Sequence, residues 1–435
     1  MNVFMRINKI IYCILPLVIC ITAGAQQNAQ QTITDSISLT LDSAEHIFLR
    51  NNFQLLAQQY NVDAQKAFVI QAKLYPNPNI NVATALYNPS AKKVLPLPFS
   101  NDGEVQAGIS QLIILAGKRN KQVKLAQANV TLSEYQFYDL IRTLKYTLRS
   151  DFFNIYYLQQ SAKVYDAEIQ ALQHIVDAYA KQDGTGYIAK KETVRIKAQL
   201  FSFKSEYNDL INQINDLESE LRLVLQEKAT VFITPLANLD NEKELDPLKI
   251  PLSTLVDSAY KRRTDLLIAR ANTDINKLNY TYQKSLAVPD ITANIGFDQQ
   301  GSYVKNSTTG GIGIDLPLFS RNQGNIKAAK QLIEYSLASQ KGVEAMVEEN
   351  VTRSLQKAIA QDRLYKSIDP TFNAEFETLK KEVLGNYQKR NISLLDFLDF
   401  YDSYKQNALQ LNAIKYNRVQ ALEDINFFTG TTFFN

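Results

Sequence analysis

Asp396, Asp399 and Asp402 stand three residues apart in the stretch NISLLDFLDFYDSY. That spacing puts the carboxylates on one face of a helix. Carboxylates gathered at a narrow passage attract cations and favour them over anions. Acids at a helix start are also ordinary, because they suit the positive end of the dipole on a solvated face. The sequence leaves both readings open. Few other residues offer chemistry. His46 and His174 are the only histidines, Met346 is the only methionine beyond the first five residues, and both cysteines, Cys13 and Cys20, lie near the N-terminus. No Gly-rich phosphate loop or nucleophile elbow occurs. The expectation is therefore a protein that is not an enzyme, with no metal site and no cofactor.

The elements that must position these residues are set by where glycine and proline fall. Neither occurs between Gly117 and Gly184, Gly186 and Pro235, Pro251 and Pro289, or Gly385 and Gly430. Long helices are permitted in those gaps. Phe152, Ile155, Leu158, Ala162, Tyr165, Ile169, Leu172, Val176 and Tyr179 recur at three and four residues, the period of a helix with one apolar face. Tyr156, Tyr157 and Phe152 fit that packing better than a cofactor box. A helix from Lys118 to about residue 180 would be roughly 95 Å long, more than a compact domain needs.

At the N-terminus, Arg6 and Lys9, the run IIYCILPLVICI and Ala23-Gly24-Ala25 have the order of a secretory signal peptide, with cleavage expected after Ala25. Ile19 precedes Cys20 where a lipoprotein would carry a small residue, so Cys20 reads as part of the leader. The formal charge of +3 falls to +1 without Arg6 and Lys9. Neither value calls for nucleic acid.

The chain repeats itself. Phe53-Gln54-Leu55-Leu56 before YPNPNINVATALY parallels Thr264-Asp265-Leu266-Leu267 before AVPDITANIGF. The region around Gly117 parallels that around Asn322, and GYIAKKET parallels RNISLLDF. The expected division is a signal peptide 1–25, a first repeat 26–226, a linker 227–251 and a second repeat 252–435. Each repeat reads helix, strand, tip, strand, long helix, turn, helix. In the second hairpin Ile291, Ala293, Ile295 and Phe297 alternate with Thr292, Asn294 and Gly296, and Ile312 and Ile314 alternate with Gly311 and Gly313. Strands of about ten residues suit a membrane barrel. Four strands cannot enclose a lumen, but several copies can, pairing every edge and turning Ile291, Ile295, Phe297, Ile312 and Ile314 to lipid.

The leader, the duplication, PNP before the first hairpin, SQLIILAGKR after it and ISLLDFLDFYDSY after the last turn resemble the outer membrane efflux protein (TolC) family, from about residue 38 to 430. That resemblance implies a mainly α fold with a β-barrel: a long α-helical barrel plus an outer-membrane β-barrel completed by homotrimerisation, four strands per chain. It implies an exit duct with its helical part in the periplasm. The implied partners are a periplasmic adaptor (membrane fusion protein) and an inner-membrane pump, of which the RND type is one class. It also leans towards the heavy-metal cation efflux branch, with drug and protein export left open. The alternatives, a periplasmic adaptor or a long-helix spacer, would not need two β-hairpins.

The resemblance further implies a periplasmic gate at Asp396 and Asp399. Ile392 stands where some relatives place an arginine, which sets aside a charge-locked gate. Gly184 and Gly186 suit a helix reversal at the tip. There Ile188, Leu394 and Leu395 are either adaptor contacts or packing between tunnel helices.

Overall fold

The computed structural model describes residues 35–182, 190–237, 245–301, 303–369 and 371–434. The expected leader and the tip residues Gly184, Gly186 and Ile188 lie outside the described residues.

The first repeat opens with β1 (Asp35–Thr40), α1 (Leu41–Asn51) and α2 (Phe53–Ala72). Then come β2 (Asn79–Thr84), a small hairpin β3 (Tyr87–Asn88) and β4 (Lys93–Val94), β5 (Val105–Ile113), α3 (Lys118–Gln182) and α4 (Lys190–Leu225). After β6 (Val231–Leu236), the second repeat runs α5 (Leu252–Arg262), α6 (Thr264–Leu286), β7 (Ile291–Asp298), β8 (Ser307–Ile314), α7 (Gln323–Lys366), α8 (Phe372–Gln388) and α9 (Leu394–Thr429). The two halves match in length: α1 and α5 have 11 residues each, and α4 and α9 have 36 each. Among the described residues no helix is long and apolar enough to cross a membrane.

α3 is unbroken over 65 residues, about 97 Å at ~1.5 Å per residue. Its counterpart is interrupted between α7 and α8, where Asp369 accepts from Thr371 N ahead of a new helix. The helix before each hairpin is interrupted too, and neither break falls at a glycine or proline. Asn52 leaves helical geometry and its Oδ1 accepts from Gln54 N and Leu55 N, so one side chain caps a new start. Its Nδ2 donates to Val224 O at 2.9 Å, which seats the end of α4 under the start of α2. The matching break at Arg263 lies over the end of α9, where a Cβ on Gly430 would come within 3.1 Å of the Arg262 backbone. Gly430 has φ +67 and ends α9 in the left-handed region that glycine enters freely. So α2 stands on α4, and α6 stands on α9.

The hairpins share one antiparallel sheet in the order β2-β5-β7-β8. Its strands have 6, 9, 8 and 8 residues, shorter than the expected ten. The reason is visible at the tips: β2 is followed closely by the β3–β4 hairpin, and Asn306 N closes on Gln299 O at 3.0 Å. Away from the sheet, β1 pairs in parallel with β6, tying the chain start to the inter-repeat segment. One apolar cluster there joins Phe48, Leu148, Phe152, Leu221 and Ile233. A second holds α5, α7 and α9 through Leu255, Val347, Val351 and Ile425.

Candidate functional site: a two-faced sheet and the lower turn

Register decides what the sheet can do. Ile80 is opposite Ile109, Ile109 opposite Ile295, Ile291 opposite Ile314, and Ala293 opposite Ile312. These side chains and Phe297 therefore share one face. Ile295, Ile312 and Ile314 are exposed, and Ile291 and Phe297 half-exposed. The other face carries Asn81, Gln106, Ser110, Thr292, Asn294 and Thr309. On it, Asn81 lies opposite Gly108 and Asn294 opposite Gly311, each amide oxygen within 2.6 Å of where a Cβ would stand. Apolar on one face and amide-lined on the other is how a barrel wall meets lipid outside and water inside. The period of two announced the apolar face. The glycine–asparagine pairs could have been found only by knowing the register.

The helices repeat the order of the strands. α2 packs on α3, α3 on α6 and α6 on α7; lower down, α4 packs on α3, α3 on α9 and α9 on α7. Each level is a row, with β2, α2 and α4 on one edge and β8, α7 and α8 on the other. An unpaired strand edge needs a partner in lipid.

At the lower end, α8 turns into α9 through Arg390, whose φ is +63. Ser393 caps α9: its Oγ accepts from Asp396 N at 3.2 Å and donates to Asp396 Oδ2 at 2.7 Å. Below that cap Leu394, Phe397, Leu398 and Tyr401 are buried against Leu172 of α3 and Ile196, Leu200 and Phe203 of α4. Phe397 stacks on Tyr387 and lies tilted against Tyr401, with both centroids 4.3 Å away. The same turn points Asp396 and Asp399 outward, and both are exposed. Asp399 makes no hydrogen bond or ion pair among the described residues.

Asp402 does not join them. Its carboxylate lies 3.1 Å from Lys405 Nζ, which also reaches Glu206 on α4 at 2.7 Å. Steps of three residues drift by about 60° each around a helix, so the third acid leaves the face of the other two and stands half-exposed beside Lys405. Leu394 corrects a second expectation: it is 8% exposed and packs in the core, so it offers no surface to an adaptor. Leu395 beside it is 55% exposed.

Two buried acids escaped the sequence reading because burial has no local signal. Asp151 on α3 is 6% exposed and its Oδ2 meets no donor among the described residues. Burial, with Glu220 nearby, pushes its carboxyl up to about 7. Burial likewise pushes Glu218 up to about 7, although Arg222 lies 3.3 Å away. In the unfolded chain such groups lose their protons near pH 4. The folded chain holds them until about 7, so the stability they confer at low pH is lost as pH rises across that window. Asp151→Asn is expected to stabilise the protein at pH 8 by about 1–2 kcal/mol and to change little at pH 4. Circular dichroism melts at the two pH values check this, and an equal shift at both would count against it.

Residues 46–225 match the family described as Outer membrane efflux protein. A curated relative, the cobalt-zinc-cadmium resistance protein CzcC of Cupriavidus metallidurans, is 20% identical over 360 residues, which is 82% of this chain and 80% of its own. Among solved structures, the CmeC outer membrane channel of Campylobacter jejuni aligns with a TM-score of 0.71 at 15% identity, over 91% of this chain and 87% of its own. A CusC structure, described in connection with folding and transmembrane channel formation, aligns at 0.72 and 16% identity over 90% and 92%. At such identities the two structures speak for the fold.

Proposed function

We propose that this chain is a member of the outer membrane efflux protein family, whose model matches residues 46–225, and that its channel is assembled and used as follows. The protein is an outer-membrane efflux channel, with its sheet in the membrane and its helices in the periplasm. The observation that carries the assembly is the common pair of open edges at every level of the chain. Three copies close them into one ring of twelve strands over a helical tunnel, with apolar faces to lipid and the Asn81 and Asn294 amides to water. The ring is a passive duct, fed by an inner-membrane pump through a periplasmic adaptor that meets its lower turns, Leu395 included. Residues 26–226 and 252–435 are the two repeats of the wall, and 227–251 joins them.

Metal cations are the substrate class this reading favours, supported by the resistance protein's likeness over most of the chain. Asp396 and Asp399 form the gate, and three copies bring six carboxylates to the axis. Deleting the gene should sensitise cells to cobalt, zinc or cadmium more than to dyes or detergents. The reverse ranking would redirect the substrate to drugs.

Orientation gives a direct check on the duct. The tip after β4 and the tip between β7 and β8 join membrane strands, so both face the exterior. A cysteine at Ser100 or Asn306 is expected to react with an impermeant maleimide on intact cells. Reaction only after permeabilisation would contradict this orientation.

A further inference from the structure

A cavity of about 730 Å³ opens between α3, α9 and α8, beside the break where α7 ends. That volume is within the range of small-molecule sites. Its lining on α3 runs from Tyr156 to Ala167, roughly 16 Å at ~1.5 Å per residue. Tyr156 and Tyr157 of α3, Tyr365 of α7, Phe376 of α8 and Tyr404 of α9 bring five rings to it. Lys163, Lys380 and Lys415 bring three ammonium groups, one each from α3, α8 and α9.

These cations are unequally answered. Among the described residues Glu377 is the only acid in the lining, and it already accepts from the Tyr404 hydroxyl. Lys380 meets the fully buried Glu168 at 2.5 Å and lies 4.2 Å from the centre of the Tyr404 ring. Lys163 reaches only the neutral amide of Gln160, at 3.3 Å. Lys415 is half-buried and makes no hydrogen bond or ion pair among the described residues.

We infer that this cavity is a binding site for a ring-bearing anion, an aromatic carboxylate or sulfonate, whose ring lies among the tyrosines and whose charge is met by Lys163 and Lys415. The inference goes beyond the cation duct proposed above and rests on the cavity of one chain, not on the ring of copies. Other ligand classes use less of the lining. A metal cation would meet two unanswered positive charges and no uncommitted carboxylate among the described residues. Inorganic phosphate would satisfy the ammonium groups and leave the rings unused. A neutral hydrocarbon would cover the rings but strip water from the ammonium groups without replacing it, which is costly. An aromatic anion gains ring contacts and charge-assisted hydrogen bonds together. The low-dielectric walls of the groove concentrate the positive potential that draws it in.

The probe is naphthalene-2-sulfonate, with 2-naphthylmethylammonium as a counterpart of the same ring and opposite charge. Full-length protein, purified as its assembly in neutral detergent, is dialysed to equilibrium against each, with protein-free micelles as the blank. The sulfonate is expected to bind saturably, one per chain, and the ammonium about 10-fold more weakly. Lys415→Gln should weaken the sulfonate by about 10-fold, the worth of one hydrogen bond to a charged group. Ala167→Trp fills the groove from an exposed position and should abolish binding without changing the far-ultraviolet circular dichroism. Lys305→Gln, at the tip between β7 and β8, should change nothing. Saturating sulfonate should raise the melting temperature of the parent and not that of Ala167→Trp. Equal binding of the two probes would overturn the inference, since it would show apolar partition alone. Sulfonate binding that survives both Lys415→Gln and Ala167→Trp would overturn the site. So would the absence of saturable binding, or binding only by dissociated chains, which would show that a neighbouring copy covers the cavity.

Discussion

Asn at both 396 and 399 is expected to lower the channel's preference for cations over anions by about 3- to 10-fold in planar bilayers. If three copies bring these exposed carboxylates to one narrow passage, six like charges sit against a low-dielectric wall, where each acts more strongly than on an open surface. Asn keeps the size and most of the hydrogen bonding, and at 396 it can still meet the Ser393 cap. The fold and the assembly should therefore persist. Asp399→Asn alone separates conduction from capping, since Asp399 makes no hydrogen bond or ion pair among the described residues. Divalent cations should block the parent more strongly than either variant. An unchanged ion preference and unchanged block would reduce the pair to a solvated helix face.

Arg149→Ala is expected to destabilise the chain by about 3–5 kcal/mol. The guanidinium joins three helices: Nε and Nη2 reach both carboxylate oxygens of Glu423 on α9 at 2.8 and 2.6 Å, and Nη1 reaches Glu45 on α1 at 2.8 Å. The Arg149 and Glu423 side chains are 10% and 8% exposed, so truncation leaves a buried carboxylate without its partner. Glu45 keeps Lys145 at 2.8 Å and suffers less. The loss therefore arises mostly from the stranded Glu423, and Arg149→Met with Glu423→Leu should recover most of it. Melts of the purified protein in detergent measure both. A double variant no more stable than Arg149→Ala would show that the arginine acts through its other contacts.

The sequence by itself determined the local elements and their order. Breaker-free spans gave α3 to within about two residues. Period-two alternation gave the second hairpin and its apolar face. Gly117 and Asn322, aligned as counterparts, both adopt left-handed backbone, at φ +65 and +56. These features are legible because each depends on residues near one another in the chain. The aspartates were legible as residues, but not the pairing of Asp402 with a Lys405 that Glu206 holds across a helix contact.

The tertiary structure alone decided where distant segments meet. The break at Asn52 lacks a glycine or proline because its cause is the end of α4 arriving beneath it, 172 residues further along. Leu394 and Leu395 are the same residue type side by side, and only the helix's orientation on α3 and α4 buries one and exposes the other. α2 and α7 stand at opposite edges of the row of helices, and only the order in which the helices pack shows it.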